Sequence, residues 1–180
     1  MSQLKVYKED SAAEFEEFNT FDEIKEKLDS VGIQFERWQA EQDISDQASQ
    51  EQILEAYKTS VDRLMNERGF VKADVIAITP AVENHQELRK KFLNEHTHNE
   101  DEARFFIDGK GLFTIHANGH VYAMLCEKND LINVPAKTKH WFDMGPNPSF
   151  KCIRVFGTEA GWVAEFTGSD IASKFPRLEN

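Results

Sequence analysis

His96, His98, Glu102 and His140 are the residues of this sequence whose types and spacing can do chemistry. The first three lie in Asn94-Glu95-His96-Thr97-His98-Asn99-Glu100-Asp101-Glu102. On a strand, residues two apart point to the same face, so His96 and His98 can present two imidazoles to one metal ion. Glu102 follows across a polar turn and can return a carboxylate to that ion. Two histidines and one carboxylate make the facial triad of non-haem iron sites. His140 offers a fourth ligand, opening the run His140-Trp141-Phe142 after Val134-Pro135-Ala136-Lys137-Thr138-Lys139. A divalent ion with mixed nitrogen and oxygen ligands prefers about six positions. Four protein ligands leave two, which suits a bidentate diol, enediol or keto acid. A zinc hydrolase, with a single open position, fits less well.

Arg104 stands two residues past Glu102 and shares its face on a regular strand. An inward guanidinium needs an anion, either a substrate at the metal or an acid of the site itself. Arg154 alternates with Cys152 and Phe156, and can face inward or out to solvent. His116 and His120 flank the Asn118-Gly119 turn and are expected to be exposed, and His85 sits at a helix start. None of these three is expected to be a ligand.

The elements that must hold this set fall into two parts. In residues 1–94, helices dominate with short strands between. Thr20-Phe21-Asp22-Glu23 and Ser49-Gln50-Glu51-Gln52 fit capping boxes. The first opens a helix carrying Phe21, Ile24, Leu28 and Val31, with Gly32 as a stop. Ile33, Phe35 and Arg37 alternate as a strand would. The second opens a helix with Ile53, Tyr57, Val61, Leu64 and Met65 on one face, closing near Gly69. Asn84 with Glu87 starts a short helix carrying Leu88 and Phe92. From about residue 95 to 167, short strand-like runs alternate with turns. Gly109-Lys110-Gly111 divides two runs, Asn118-Gly119 is a hairpin signal, and Lys128-Asn129-Asp130 and Gly145-Pro146-Asn147-Pro148 mark further turns. The expected fold is α+β: one domain over residues 1–180, N-terminal helices packed on a small antiparallel β-barrel.

Composition narrows the partners. The net charge is −11, from 21 Lys+Arg against 32 Asp+Glu, which repels nucleic acid and anionic membranes. A small-molecule partner is expected. No apolar run approaches the roughly 20 residues of a membrane span, and MSQLKVYKED lacks the apolar stretch of a signal peptide. Cys126 and Cys152, the 2 cysteines, are expected as buried thiols in a reducing cytoplasm. The 14 phenylalanines suggest a thick core or a lined pocket.

The ligand spacing resembles the two motifs of the cupin (jelly-roll) superfamily. The first motif matches at His96, His98, Glu102 and Gly109, and the second at Pro135 and His140. Lys90, Asn129, Lys137 and Met144 depart from the usual residues, but every ligand position is kept. A more specific resemblance, over roughly residues 20–178, is to the acireductone dioxygenase family. It rests on FLNEHTHNEDEARFFIDGKGLF, LCEKNDLINVPA with KHWFDMG, IQFERW, and GWVAEFTGSDIA. The resemblance implies an enzyme of methionine salvage that uses dioxygen; a monomer is expected. Its substrate would be 1,2-dihydroxy-3-keto-5-methylthiopentene, and it would carry one Fe(II) or Ni(II) per chain. It implies that the metal selects the products: 2-keto-4-methylthiobutyrate and formate with iron, methylthiopropionate, formate and carbon monoxide with nickel. It gives Arg104 the promotion of a substrate dianion, Glu95 a part in metal incorporation and Asp101 the relay of changes around the site. For both acids, solvated turn residues remain the other reading. Phe92, Phe105, Phe142 and Trp162 are candidates to line a pocket for the methylthio tail.

Overall fold

A computed structural model describes residues 1–179. In chain order its elements are β1 (Gln3–Lys8), β2 (Ser11–Phe18), α1 (Phe21–Asp29), β3 (Gln34–Arg37), α2 (Gln50–Ala56), α3 (Lys58–Arg68), β4 (Lys72–Ile78) and α4 (His85–Phe92). They continue with β5 (His96–Thr97), β6 (Glu102–Ala117), β7 (His120–Glu127), β8 (Asp130–Val134), β9 (Lys139–Asp143), β10 (Phe150–Phe156) and β11 (Glu165–Phe166). A 3₁₀ turn, Ile171–Lys174, precedes the C-terminal tail.

The local signals explain much of this. The Thr20 side chain accepts the Glu23 amide at the start of α1, and Ser49 and Gln52 form a complete capping box on α2. The single helix expected over residues 50–68 is broken at Tyr57, whose φ of −116° and ψ of 17° are not helical. Gly69 ends α3 in the left-handed region that favours glycine. Asn118 and Gly119 both have positive φ, as a two-residue hairpin turn requires, and Ala117 pairs with His120 across it. At α4, Asn84 is the cap residue but makes no side-chain capping bond.

The strands are antiparallel and form two sheets that share β6. One sheet runs β2-β1-β7-β6-β9-β5-β11; the other runs β4-β10-β6-β8-β3. Among the described residues these pairings do not close into a ring, so two sheets joined through one bent strand stand where a small closed barrel was expected. Gly109-Lys110-Gly111 does not divide two strands; it is the bend inside β6. Before it β6 pairs with β8 and β10, and after it with β7 and β9. Gly109 has φ +74°, and a Cβ there would stand 1.9 Å from the Ser149 carbonyl oxygen. Residues 1–94, expected as mainly helical, hold four strands as well as four helices.

Alternation along β6 separates two cores. Phe106 faces the space between the sheets with Leu4, Phe113, Met124, Phe142 and Phe150. Phe105 faces the other way, against Trp38 and Tyr57 and the inner faces of α2 and α3. β6 is buried on both faces over most of its length, and its first residues include Glu102 and Arg104. Among the described residues no helix is long and apolar enough to cross a membrane.

Candidate metal centre

The four residues picked from the sequence are brought together. His96 opens β5 and pairs in register with His140 of β9. His98 follows in the loop after β5, and Glu102 opens β6 opposite Val134. All four side chains are buried. One ligand atom from each lies within 4.8 Å of the others. Glu102 Oε2 stands 3.0 Å from His98 Nε2 and 3.1 Å from His140 Nε2.

The other ring nitrogen of each histidine explains the arrangement. His96 Nδ1 lies 2.7 Å from the Asn94 carbonyl oxygen, His98 Nδ1 2.9 Å from that of Val163, and His140 Nδ1 2.8 Å from that of Thr138. A carbonyl oxygen can only accept, so each Nδ1 carries the proton and donates it. In the neutral ring each Nε2 then carries a lone pair directed at the common point, and only a doubly protonated ring donates from Nε2, as His98 and His140 can to Glu102. Anchoring through the distal nitrogen is how metal-ligating imidazoles are oriented. Electrostatics agree with ligation. Burial, then the charge of His140, pushes the His96 pKa down to about 4, so its imidazole is neutral at physiological pH. Burial works to raise the pKa of Glu102, but hydrogen bonds from His140 and His98 and the charge of Arg104 hold the carboxyl well below its usual range. Burial lowers His98, but the hydrogen bond and charge of Glu102 and the bond to the Val163 carbonyl together raise it above its usual value. Three neutral-capable imidazoles and one carboxylate, converging and shielded from water, fit a borderline divalent ion.

A cavity of about 140 Å³ opens beside the cluster and exposes His96, His98 and Glu102. Arg104 stands in its wall and is 7% exposed. Its Nη2 donates to Glu102 Oε1 at 3.0 Å, while its Nε has no partner among the described residues. The guanidinium carbon lies 4.7 Å from the centre of the Phe142 ring and 5.4 Å from that of Trp162. Arg104 is therefore at once a partner of the site's own acid and the holder of a spare donor. Phe92, Phe142, Trp162 and Arg154 also line the cavity. The Arg154 guanidinium is held by Asp74 through two bonds of 2.8 and 2.7 Å. Phe105 does not line it, because strand alternation turns its ring to the α2–α3 side.

The acids differ from the solvated reading. Glu95 is 2% exposed: its Oε1 accepts Thr167 Oγ1 at 2.7 Å and its Oε2 meets His116 Nδ1 at 2.6 Å. Asp101 is part-buried and accepts the Ala136 amide at 2.9 Å and Asn133 Nδ2 at 3.3 Å, pinning the loop before His140. His116, expected to be exposed, is largely covered, and its Nε2 meets Glu9 Oε2 at 2.9 Å. The sequence reading also missed Val163 and Thr167, whose bonds to His98 and Glu95 come from more than 60 residues away. The bonds from His96 to Asn94 and from His140 to Thr138 each span two residues and are local to the chain.

Comparison with known proteins gives a consistent result. The profile of the ARD/ARD' family matches residues 3–164. An acireductone dioxygenase of Pseudomonas fluorescens (strain Pf0-1) is 54% identical over 181 residues, covering 100% of each chain. One of Aquifex aeolicus (strain VF5) is 51% identical over 179 residues, covering 99% of this chain and 97% of that one. Among solved structures, an acireductone dioxygenase from Bacillus anthracis with a cadmium ion in its active centre superposes with a TM-score of 0.81 at 26% identity, covering 92% of this chain and 98% of that one. The shared architecture is the cupin fold that the His-x-His and Pro-x₄-His spacings pointed to.

Proposed function

This chain belongs to the ARD/ARD' family, and we propose that it is an acireductone dioxygenase acting on 1,2-dihydroxy-3-keto-5-methylthiopentene with dioxygen in methionine salvage. The observation that carries this reading is the convergence of three Nδ1-anchored imidazoles and Glu102 beside a cavity that holds a spare donor of Arg104. His96, His98, Glu102 and His140 would hold one Fe(II) or Ni(II) per chain. When bound, that ion supplies Lewis acidity and a template for a chelating substrate. In this reading the Fe(II) form yields 2-keto-4-methylthiobutyrate and formate, and the Ni(II) form yields methylthiopropionate, formate and carbon monoxide. The enzyme acts as a monomer of one domain over residues 1–180. The buried free thiols of Cys126 and Cys152 support a place in a reducing cytoplasm.

The chain's own residues account for recognition and proton control. An acireductone is an enediol that loses protons to give a dianion. Arg104 favours that dianion because its Nε–H is buried without a partner, and a desolvated donor gains most from an anion. Phe142 and Trp162 flank the guanidinium and exclude water from it. With Phe92 they supply an apolar wall for the methylthio tail. Glu95, locked between Thr167 and His116, immediately precedes His96 and steadies the backbone there, and so bears on metal incorporation. Asp101 ties the loop before His140 to the loop before Glu102 and can pass a shift in one to the other. The test is consumption of acireductone under air by the Fe(II)-loaded protein. Turnover is expected. No turnover, together with turnover of another chelating substrate such as a β-diketone, would overturn the assignment.

A further inference from the structure

The cavity beside the cluster has three cations in its wall: Arg104, Arg154 and Lys91. Two are already neutralised within the protein, Arg104 by Glu102 at 3.0 Å and Arg154 by Asp74 at 2.7 Å. Lys91 makes no ion pair with any described residue and is exposed. Its neighbour Lys90 is paired with Glu87 instead. The chain as a whole carries a net charge of −11, so its field repels an approaching anion. Lys91 is therefore the wall cation without an internal ion pair, exposed where an anion would enter, while Arg104 keeps its spare donor for the bound one.

Lys91 is also held in place by an unusual tether. Helix α4, which carries it, has no buried residue and no side-chain cap at its start. Leu88 and Phe92 pack half-buried against the core, and Arg89 adds a polar anchor. Arg89 Nε donates to Asp143 Oδ1 at 2.7 Å and Nη2 to Asp143 Oδ2 at 3.0 Å. Asp143 is 1% exposed and also accepts the Gly145 and Leu178 amides, each at 2.9 Å. A buried carboxylate saturated by four donors is a rigid anchor, because losing one partner would strand a charge. It lies at the end of β9, the strand that His140 enters. The pair, together with the packing of Leu88 and Phe92, thus holds α4, and with it Lys91, relative to the metal cluster.

We propose that Lys91 recruits the anionic substrate to this cavity and that the Arg89–Asp143 pair is its positioning element; this rests on the acireductone reading above. A cation a few ångströms from a dianion in water is worth about a tenfold gain in encounter, and salt removes it as the Debye length shrinks from about 30 Å at 0.01 M to about 3 Å at 1 M. The test measures kcat and KM of the Fe(II)-loaded enzyme at both ionic strengths for wild type, Lys91→Gln, Lys91→Arg, Arg89→Lys and the Lys91→Gln/Arg89→Lys double variant. At low salt Lys91→Gln should lose about tenfold in kcat/KM, with the loss in KM, and the gap should close at high salt. Lys91→Arg should restore it. Arg89→Lys should lower kcat/KM at low salt, and the double variant should fall no further than Lys91→Gln alone. Wild-type turnover with unchanged kcat/KM in Lys91→Gln, or a loss that salt does not alter, would overturn the role of Lys91. Additive losses in the double variant would overturn the role of Arg89. Absence of wild-type turnover would overturn the activity itself, and this proposal with it.

Discussion

Two regions of the molecule gather histidine and carboxylate, and they use them differently. Around Glu102, three histidines spend Nδ1 on a backbone carbonyl and turn Nε2 inward. Around His116, a single imidazole has both nitrogens taken by carboxylates, Glu95 on one side and Glu9 on the other. The residue types are the same. The first group keeps a lone pair on every ring for a cation, whereas the second has none left to give. A metal site is thus defined less by which side chains are near than by what their other atoms already hold. The second group ties β1, β6 and the residue before His96 together, and so acts as a strut.

That contrast can be broken by removing one histidine from each region. His96→Ala should take metal occupancy from about one per chain to near zero. Losing an outer partner of a ligand already costs about 10–100-fold in affinity, and losing the ligand itself costs more. His116→Ala should keep its metal. Elemental analysis of both variants decides the matter; a metal-free His116→Ala with a fully loaded His96→Ala would reverse the assignment of the two regions.

Arg104 sharpens the contrast within the first region, since it touches Glu102 yet is not a ligand. Arg104→Ala should retain metal but lower turnover by roughly a hundredfold, the usual cost of removing one donor aimed at developing charge. It should also lose the ultraviolet signature of the bound substrate dianion. A normal dianion spectrum in this variant would mean that Arg104 serves Glu102 alone.

The smallest effect is in titration of the metal-free protein. Burial holds His96 near a pKa of about 4, below the roughly 6.5 of an unfolded histidine. Above both values the residue is neutral in either state and contributes no pH dependence. As pH falls from about 6.5 toward about 4, the unfolded chain takes up a proton that the folded one refuses, so stability declines across that window. NMR of the His96 ring should show a midpoint near 4, and a midpoint near 6.5 would mean that the ring is open to water.

How far the sequence reveals all this depends on the range of the interaction concerned. The ligand set was legible because period-two geometry and a Pro-x₄-His spacing are local. So were the Asn118-Gly119 hairpin and the caps of α1 and α2. What was hidden is non-local. β1 is a strand because β7 offers an edge more than 100 residues away, and β2 because it folds back on β1. Phe105 could be placed beside Arg104 in number but not in space, since β6 is apolar on both faces and composition there does not distinguish them. Gly109 read as a break, yet the approach of Ser149 makes it a bend within one strand. His116 looked exposed because its neighbour is a turn, and its two carboxylates come from β1's end and from the loop before β5.

The central claim is that the four converging residues bind a metal which turns over acireductone and sets its products. The most direct measurement strips the wild-type protein of metal, reloads separate samples with Fe(II) and Ni(II), and assays the gas released from acireductone under air. Carbon monoxide from the Ni(II) sample and none from the Fe(II) sample is the predicted result. The same gas from both samples, or consumption by the metal-free protein at the same rate, would contradict it.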